Sequence, residues 1–313
     1  MKIDHAARIL FTLICAALVW PDAVLAEAQK PLQVEVFMSS EDHMGLGVAS
    51  AIIYGEKEAV VVDAQFTLSN AHRLVAAILE TGRELTTVYI THEHPDHFMG
   101  LPVLIQAFPE AKAVSLQASA DDVNASVDFK LEYWGNNVLG ANGAKTKVFV
   151  ETLEKPLILL EGRRLEILGP FQGDAANTSV VWIPSIKTLI ASDTIYDHAH
   201  AWLAAAKTPE LRQAWLDVLD QLEALKPEVV VPGHAPSNAY LSPASIDYTR
   251  QYIKTFVATM SETGDSKELM AEMNRIYPDV AMPFCLDYSS KILMDGWTWD
   301  GQWPASLRDM KAR

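Results

Sequence analysis

The densest chemistry in this 313-residue chain is Thr91-His92-Glu93-His94-Pro95-Asp96-His97, where three of the nine histidines and a carboxylate fall within six residues. The segment directly follows the apolar run Val88-Tyr89-Ile90. A strand ending in a tight loop of the form His-x-His-x-Asp-His can aim four polar side chains into one cleft. Neutral imidazoles and a carboxylate are the donors that zinc and other divalent transition metals take. The alternative, a solvated loop of isolated capping residues, does not account for so many ligand types at this spacing. The sequence predicts a metal site here.

The motif also resembles the signature of metallo-β-lactamase-fold hydrolases, and other segments match that family in the expected order. Ala59-Val60-Val61-Val62-Asp63-Ala64 looks like its buried strand, which ends in an aspartate bracing the metal loop. Gly173-Asp174-Ala175-Ala176-Asn177-Thr178 stands where the family usually has Gly-His-Thr-Pro-Gly. Leu189-Ile190-Ala191-Ser192-Asp193-Thr194 resembles the strand that ends in a metal-bridging aspartate, and Val229-Val230-Val231-Pro232-Gly233-His234 the turn that carries the last ligand. The likeness runs from about residue 34 to about 262. It implies an α/β fold, an αββα sandwich of two facing mixed β-sheets with helices on the outer faces and metals at one edge.

The resemblance further implies two ions per chain, zinc in the first instance. His92, His94 and Asp174 would hold one, Asp96, His97 and His234 the other, and Asp193 would bridge them. Asp174 departs from the family by replacing its third histidine. A carboxylate is harder than imidazole, so iron or manganese also fits this set; the other reading of Asp174 is a turn residue. A water between two such ions is a usable nucleophile near neutral pH, and Asp96 can serve as both ligand and proton acceptor. Authentic metallo-β-lactamases carry cysteine or serine at the position of Asp193, whereas lactonase-like and glyoxalase-like members carry aspartate. A lactone, ester or thioester therefore fits better than a β-lactam. Tyr196, soon after the bridging aspartate, reads either as a hydrogen-bond donor to the substrate or as a packed wall residue. His198 and His200 read as exposed loop residues rather than a third metal site. Phe66, Met99, Trp134 and Trp202 are candidates for an apolar pocket wall. The rival readings are a β-lactam hydrolase, a mononuclear iron oxygenase of the persulfide dioxygenase type, and a non-catalytic metal-binding protein.

Strands are expected at Gln33–Met38, 47–54 and 59–63, with a hairpin turn at 55–58. Further strands are expected at 88–91, 114–116, 147–150, 164–168, 180–183, 188–191 and 229–231. Helical apolar spacing at Leu74, Ala77 and Ile78 marks a helix over 70–82 with Gly82 as its C-cap, and others are expected at 100–108 and 209–225. Two segments fall outside the motifs. One is a long connection over 119–144 with a helical start. The other is an extension from about residue 263 that ends in Trp297-Thr298-Trp299-Asp300-Gly301-Gln302-Trp303. Each reads either as a cover for the metal cleft or as a satellite core.

Lys2, Arg8, an apolar run over 9–20 too short to span a bilayer, and Val24-Leu25-Ala26 before Glu27 read as a secretion signal over 1–26. A single domain over 27–313, periplasmic or secreted and without a stable membrane anchor, is the expectation. Ile14 before Cys15 is not the small residue that precedes a lipid-attachment cysteine. Cleavage would leave Cys285 alone, excluding an intrachain disulfide. With 50% hydrophobic residues the chain can build one large core, and no internal repeat is evident. The net charge of −15 survives loss of the signal, because Asp4 and Asp22 balance Lys2 and Arg8 there. Such a surface repels phosphate backbones, so the expected partner is a small-molecule substrate rather than nucleic acid.

Overall fold

A computed structural model describes residues 30–40 and 44–298. The predicted signal over 1–26, Cys15, Trp299 and Trp303 lie outside the described residues.

Two sheets form the centre. The first runs β1 (Gln33–Met38), β2 (Ala49–Tyr54), β3 (Glu58–Val62), β4 (Glu84–Tyr89), β5 (Lys112–Ser115) and β6 (Glu151–Thr152), in that spatial order. Its β1–β2–β3 meander is antiparallel, and β3 through β6 pair in parallel. The second sheet has the order β11 (Val229–His234), β10 (Thr188–Tyr196), β9 (Thr178–Ile183), β8 (Arg163–Phe171) and β7 (Leu157–Leu160). All its pairs are antiparallel except β10 with β11. Every residue of β2, β9 and β10 is buried, as strands covered on both faces require.

Three apolar clusters set the layering. Between the sheets, Ile53, Val60, Val62 and Tyr89 of the first meet Ile167, Val181, Ile190 and Val231 of the second. Outside the first sheet lie α1 (Leu68–Glu80), α3 (Leu101–Ala107) and α4 (Gln117–Lys130), with Leu74, Ile78, Leu104 and Val123 turned inward. Outside the second lie α5 (Pro209–Ala224), α6 (Ala244–Glu262), α7 (Ser266–Ile276) and α8 (Pro283–Met294), which bury Trp215, Phe256, Leu269 and Leu286. Each fully buried Leu or Ile contributes about 1.5–3 kcal/mol. The result is the expected αββα order. Gly82, expected as the C-cap, takes φ +66° just past α1; the helix starts two residues earlier than expected, where the Thr67 hydroxyl accepts from Asn70 N–H.

Several elements differ from the sequence expectation. Residues 147–150 are not a strand, because the Asn124 side chain occupies both backbone groups of Val150, at 2.9 Å each, and sheet pairing starts only at Glu151. The strand β7 was not anticipated; it pairs with β8 across the turn Glu161-Gly162, where both residues have positive φ. β8 and β10 run past residues 168 and 191, to Phe171 and Tyr196. The connection over 119–144 is α4 followed directly by a π-helix, Leu131–Val138. The extension past residue 263 supplies α7 and α8. Among the described residues no helix is long and apolar enough to cross a membrane.

Candidate metal centre

The ends of β3, β4, β10 and β11 converge at one edge of the sandwich, and a single buried carboxylate ties three of them together. Asp63 follows β3 in a left-handed conformation, φ +63°. Its oxygens accept from Thr91 N–H at 2.9 Å, Thr91 Oγ1 at 2.9 and 3.0 Å, Ser192 Oγ at 3.1 Å and His97 Nδ1 at 2.8 Å. The metal loop thus hangs on Asp63, the bracing role expected from the sequence. By accepting the hydrogen bond from Nδ1, Asp63 also fixes the His97 ring so that Nε2 faces the cleft. The Leu46 carbonyl does the same for His234, accepting from Nδ1 at 2.9 Å.

Asp96 and His97 sit on the four-residue helix α2 (Pro95–Phe98), which begins with a proline and is preceded by His94. Asp174 lies in the β8–β9 loop and is fully buried. Asp193 projects from an irregular part of β10, where the register with β11 shifts and Ser192 has φ +46°. A side chain at Gly233 would overlap Asp193 Oδ1, so the Pro-Gly-His turn needs glycine to let β11 pass this close.

These residues form two groups whose ligand atoms lie within 4.8 Å of one another: His92, His94, Asp174 and Asp193, and Asp96, His97 and His234. Asp174 Oδ2 is 3.0 Å from His94 Nδ1, placing Asp174 with the first group. Asp193 stands between the groups. Its Oδ2 is 3.5 Å from His92 Nε2, 3.7 Å from His94 Nδ1 and 3.3 Å from His234 Nε2, while Oδ1 is 3.1 Å from His97 Nε2. Asp96 Oδ2 lies 3.3 Å from His234 Nε2 and 3.7 Å from His97 Nε2.

Do these residues fit metal? His92 Nε2, His97 Nε2, Asp174 Oδ1 and Asp193 Oδ1 are buried and form no hydrogen bond of proper geometry, although His97 Nε2 and Asp193 Oδ1 lie 3.1 Å apart. Each such atom costs about 1–3 kcal/mol unless something satisfies it. Four of them on two facing donor groups of nitrogen and carboxylate oxygen are what divalent cations relieve. The electrostatics agree. Burial opposes charge on Asp193, yet His97 and His234 hold its carboxyl well below the usual range. Asp96 goes to about 2 against burial, held there by His97 and His234. Burial and Asp193 push Asp174 up, against the pull of His94. Burial would lower His94, but Asp174 raises it to about 10. The carboxylates demand positive charge in a small volume.

The Tyr196 hydroxyl donates to Asp174 Oδ2 at 3.0 Å and lies 3.4 Å from Asp193 Oδ2, with its ring stacked on His234. Burial and then the two carboxylates push its pKa far up, so it stays a neutral donor. Above the centre opens a cavity of about 1,090 Å³. Phe66, Trp134 and Trp202 line it as expected, but Met99 does not. Met99 is 2% exposed and packs in the core behind that wall. The two loop histidines divide. His198 is exposed and stacks on Tyr248, as expected. His200, expected on the surface, is buried and its Nδ1 meets Tyr252 Oη at 2.9 Å; neither joins the metal groups. Sequence reasoning missed the support from Ser192 and Leu46; it read the extension past residue 263 as either a cleft cover or a satellite core, but singled out none of the α8 residues that wall the cavity. Only the aromatic spacing Phe284/Tyr288 on that helix could have pointed to the latter.

The family model of the metallo-beta-lactamase superfamily matches residues 44–234, which include all seven clustered residues. The chain belongs to the metallo-beta-lactamase superfamily. No curated relative matches the sequence. Solved structures of the superfamily share the fold at low identity. A metallo-beta-lactamase family protein from Thermus thermophilus is 16% identical, with TM-score 0.59, over 84% of this chain and 94% of that one. A metallo-beta-lactamase from Pontibacter korlensis is 19% identical, with TM-score 0.53, over 71% and 99%. The DIM-1 metallo-beta-lactamase is 18% identical, with TM-score 0.51, over 73% and 95%.

Proposed function

We propose that this superfamily member is a dinuclear metal-dependent hydrolase of ester-like bonds, with lactones as the leading class. The observation that carries the reading is Asp193 standing between the two ligand groups, within 3.7 Å of four imidazole nitrogens. Zinc fits the donor set, and the Asp174 carboxylate also admits iron or manganese. Divalent ions held here would lower the proton affinity of a water and polarise the scissile carbonyl.

The chain's own groups complete the chemistry. Asp96 lines the cavity beside the metal groups, where a carboxylate can orient the attacking water and relay its proton to the leaving oxygen. Tyr196 keeps its proton, which it now gives to Asp174 Oδ2; turning from that carboxylate, the hydroxyl would donate to the carbonyl or leaving oxygen of a bound substrate. No serine or cysteine is required as nucleophile. Cys285 faces the cavity, but burial and nearby carboxylates push its thiol well up. The charge of −15 supports a small-molecule substrate over nucleic acid. The basic start and apolar run before Glu27 support export to the periplasm or medium, with cleavage after Ala26.

The test is elemental analysis of the purified mature protein beside a panel of lactones, esters and β-lactams. Bound divalent metal with lactone or ester turnover supports the reading. Turnover of β-lactams alone overturns the substrate assignment. Oxygen uptake by an iron-loaded protein with no hydrolysis, or metal without any turnover, overturns the hydrolase.

A further inference from the structure

The strand β10 leaves its regular ladder just where it delivers Asp193. Its register with β11 shifts on either side of Ser192. Ser192 takes φ +46°, a left-handed conformation that glycine adopts without strain and serine does not. Side chains then hold the irregular stretch. Thr194 Oγ1 donates to the Ala191 carbonyl at 2.6 Å, and Trp215 Nε1 of α5 donates to the Thr194 carbonyl at 2.9 Å. The Tyr196 N–H donates to Thr249 Oγ1 of α6, also at 2.9 Å. Asp193 therefore sits on a segment placed by side-chain bonds more than by strand pairing.

A serine where glycine would be unstrained calls for a reason, and the hydroxyl supplies one. Ser192 is buried, with its Oγ 3.1 Å from Asp63 Oδ2 and 2.7 Å from Thr91 Oγ1. Thr91 Oγ1 lies in turn 3.0 Å from His92 Nδ1, and Asp63 Oδ2 lies 2.8 Å from His97 Nδ1. One of the two hydroxyls donates to the other, and the one that accepts uses its own proton on Asp63. Through these contacts Ser192 connects to His92 of the first ligand group and His97 of the second. Through its own peptide bond it carries Asp193, which stands between them. Three parts of the centre thus take their relative placement from one small hub.

We propose that Ser192 is a positioning residue of the metal centre, whose hydroxyl, bonded to Asp63 and Thr91, sets where Asp193 stands between the two ligand groups. The strained backbone is kept because glycine, which would relieve it, has no hydroxyl to make that tie. This rests on the hydrolase reading and adds to it the residue that registers the shared carboxylate.

The experiment compares wild type with Ser192→Ala, which keeps the Cβ and deletes the hydroxyl, and Ser192→Gly, which deletes both and frees the backbone. Each protein is stripped of metal and titrated with zinc against a chromophoric chelator. Each is also loaded with cobalt(II) for its visible absorption spectrum and assayed on 4-nitrophenyl acetate. Both variants are expected to bind zinc about 10–100-fold more weakly at one site or both, the range typical when a partner of metal ligands is lost. The cobalt(II) bands should move in both, and kcat should fall by roughly tenfold or more while KM stays within about threefold. A Ser192→Gly protein that matches wild type in zinc affinity and cobalt(II) spectrum would show that the residue only shapes the backbone, and overturns the proposal. Should Ser192→Ala fail to fold, the glycine variant decides alone. If wild type binds zinc but cleaves no ester or lactone, the hydrolase reading falls, while zinc affinity and the cobalt(II) spectrum still decide Ser192. If wild type takes up no zinc, both fall together.

Discussion

Asp174 is the residue at which the chain departs most sharply from its family's pattern, and its surroundings give the departure a meaning. It is fully buried, 3.0 Å from His94 Nδ1, with one oxygen on the Tyr196 hydroxyl and the other without a partner. A turn residue would hold its backbone and face solvent. Asp174→Ala is therefore expected to remove about one equivalent of metal while the circular dichroism spectrum of the folded domain persists. Asp174→His should retain zinc; elemental analysis of both variants reads the outcome. Tyr196→Phe removes the donor and little volume, so kcat is expected to fall by roughly 10²-fold with metal content unchanged, measured by steady-state kinetics. At this scale the sequence was legible where ligand types cluster or match a motif, as in His92, His94, Asp96, His97, Asp193 and His234. It was opaque where burial depends on distant packing. Met99 follows the metal loop yet points into the core, and His200 looks like a loop residue until Tyr252 of α6 closes over it.

At the scale of elements, strong periodicity and caps were readable, whereas pairing made by side chains was not. Residues 147–150 have strand composition, but Asn124 on α4 takes the hydrogen bonds a neighbouring strand would have made. The β7–β8 turn was equally hidden, because its key contact is with residues about 100 positions away. Glu161 accepts from the backbone N–H of Glu56, Lys57 and Glu58 at 3.0, 2.6 and 2.9 Å, tying the turn of one sheet to that of the other. Burial works against its charge, but these three N–H groups, with Arg163, hold its carboxyl at about 2, below the ordinary 4.5. A carboxyl lowered on folding contributes stability that is complete above its ordinary pKa and is lost as pH falls toward the folded value. Glu161→Gln is thus expected to cost about 1 kcal/mol at pH 7, a modest figure because the tie is partly solvated. The gap from wild type should close between about pH 4.5 and pH 2. Urea denaturation at pH 7, 4.5 and 3 follows it; a gap that widens on acidification would contradict the assignment.

For the whole molecule, the sandwich brings seven candidate ligand residues from four separate stretches of chain to one edge, and three of them are carboxylates. Ions that bind only the folded state stabilise it by mass action, and removing them leaves Asp96, Asp174 and Asp193 facing one another. Exhaustive chelation is expected to lower the Tm by about 5 °C or more, with zinc restoring it, as read by differential scanning calorimetry. The layered architecture was legible in the sequence because five motifs fell in order. The shape of the cavity was not, because α4, the π-helix and α8 that wall it lie outside those motifs and their docking is set by packing that no local pattern encodes. The account stands on the dinuclear centre, which elemental analysis tests most directly, on metal-free protein reconstituted with zinc and dialysed to equilibrium. It predicts two zinc ions per chain, falling to one or fewer in Asp193→Ala. Saturation at one ion, with Asp96→Ala and His97→Ala keeping both that metal and full turnover, would contradict it.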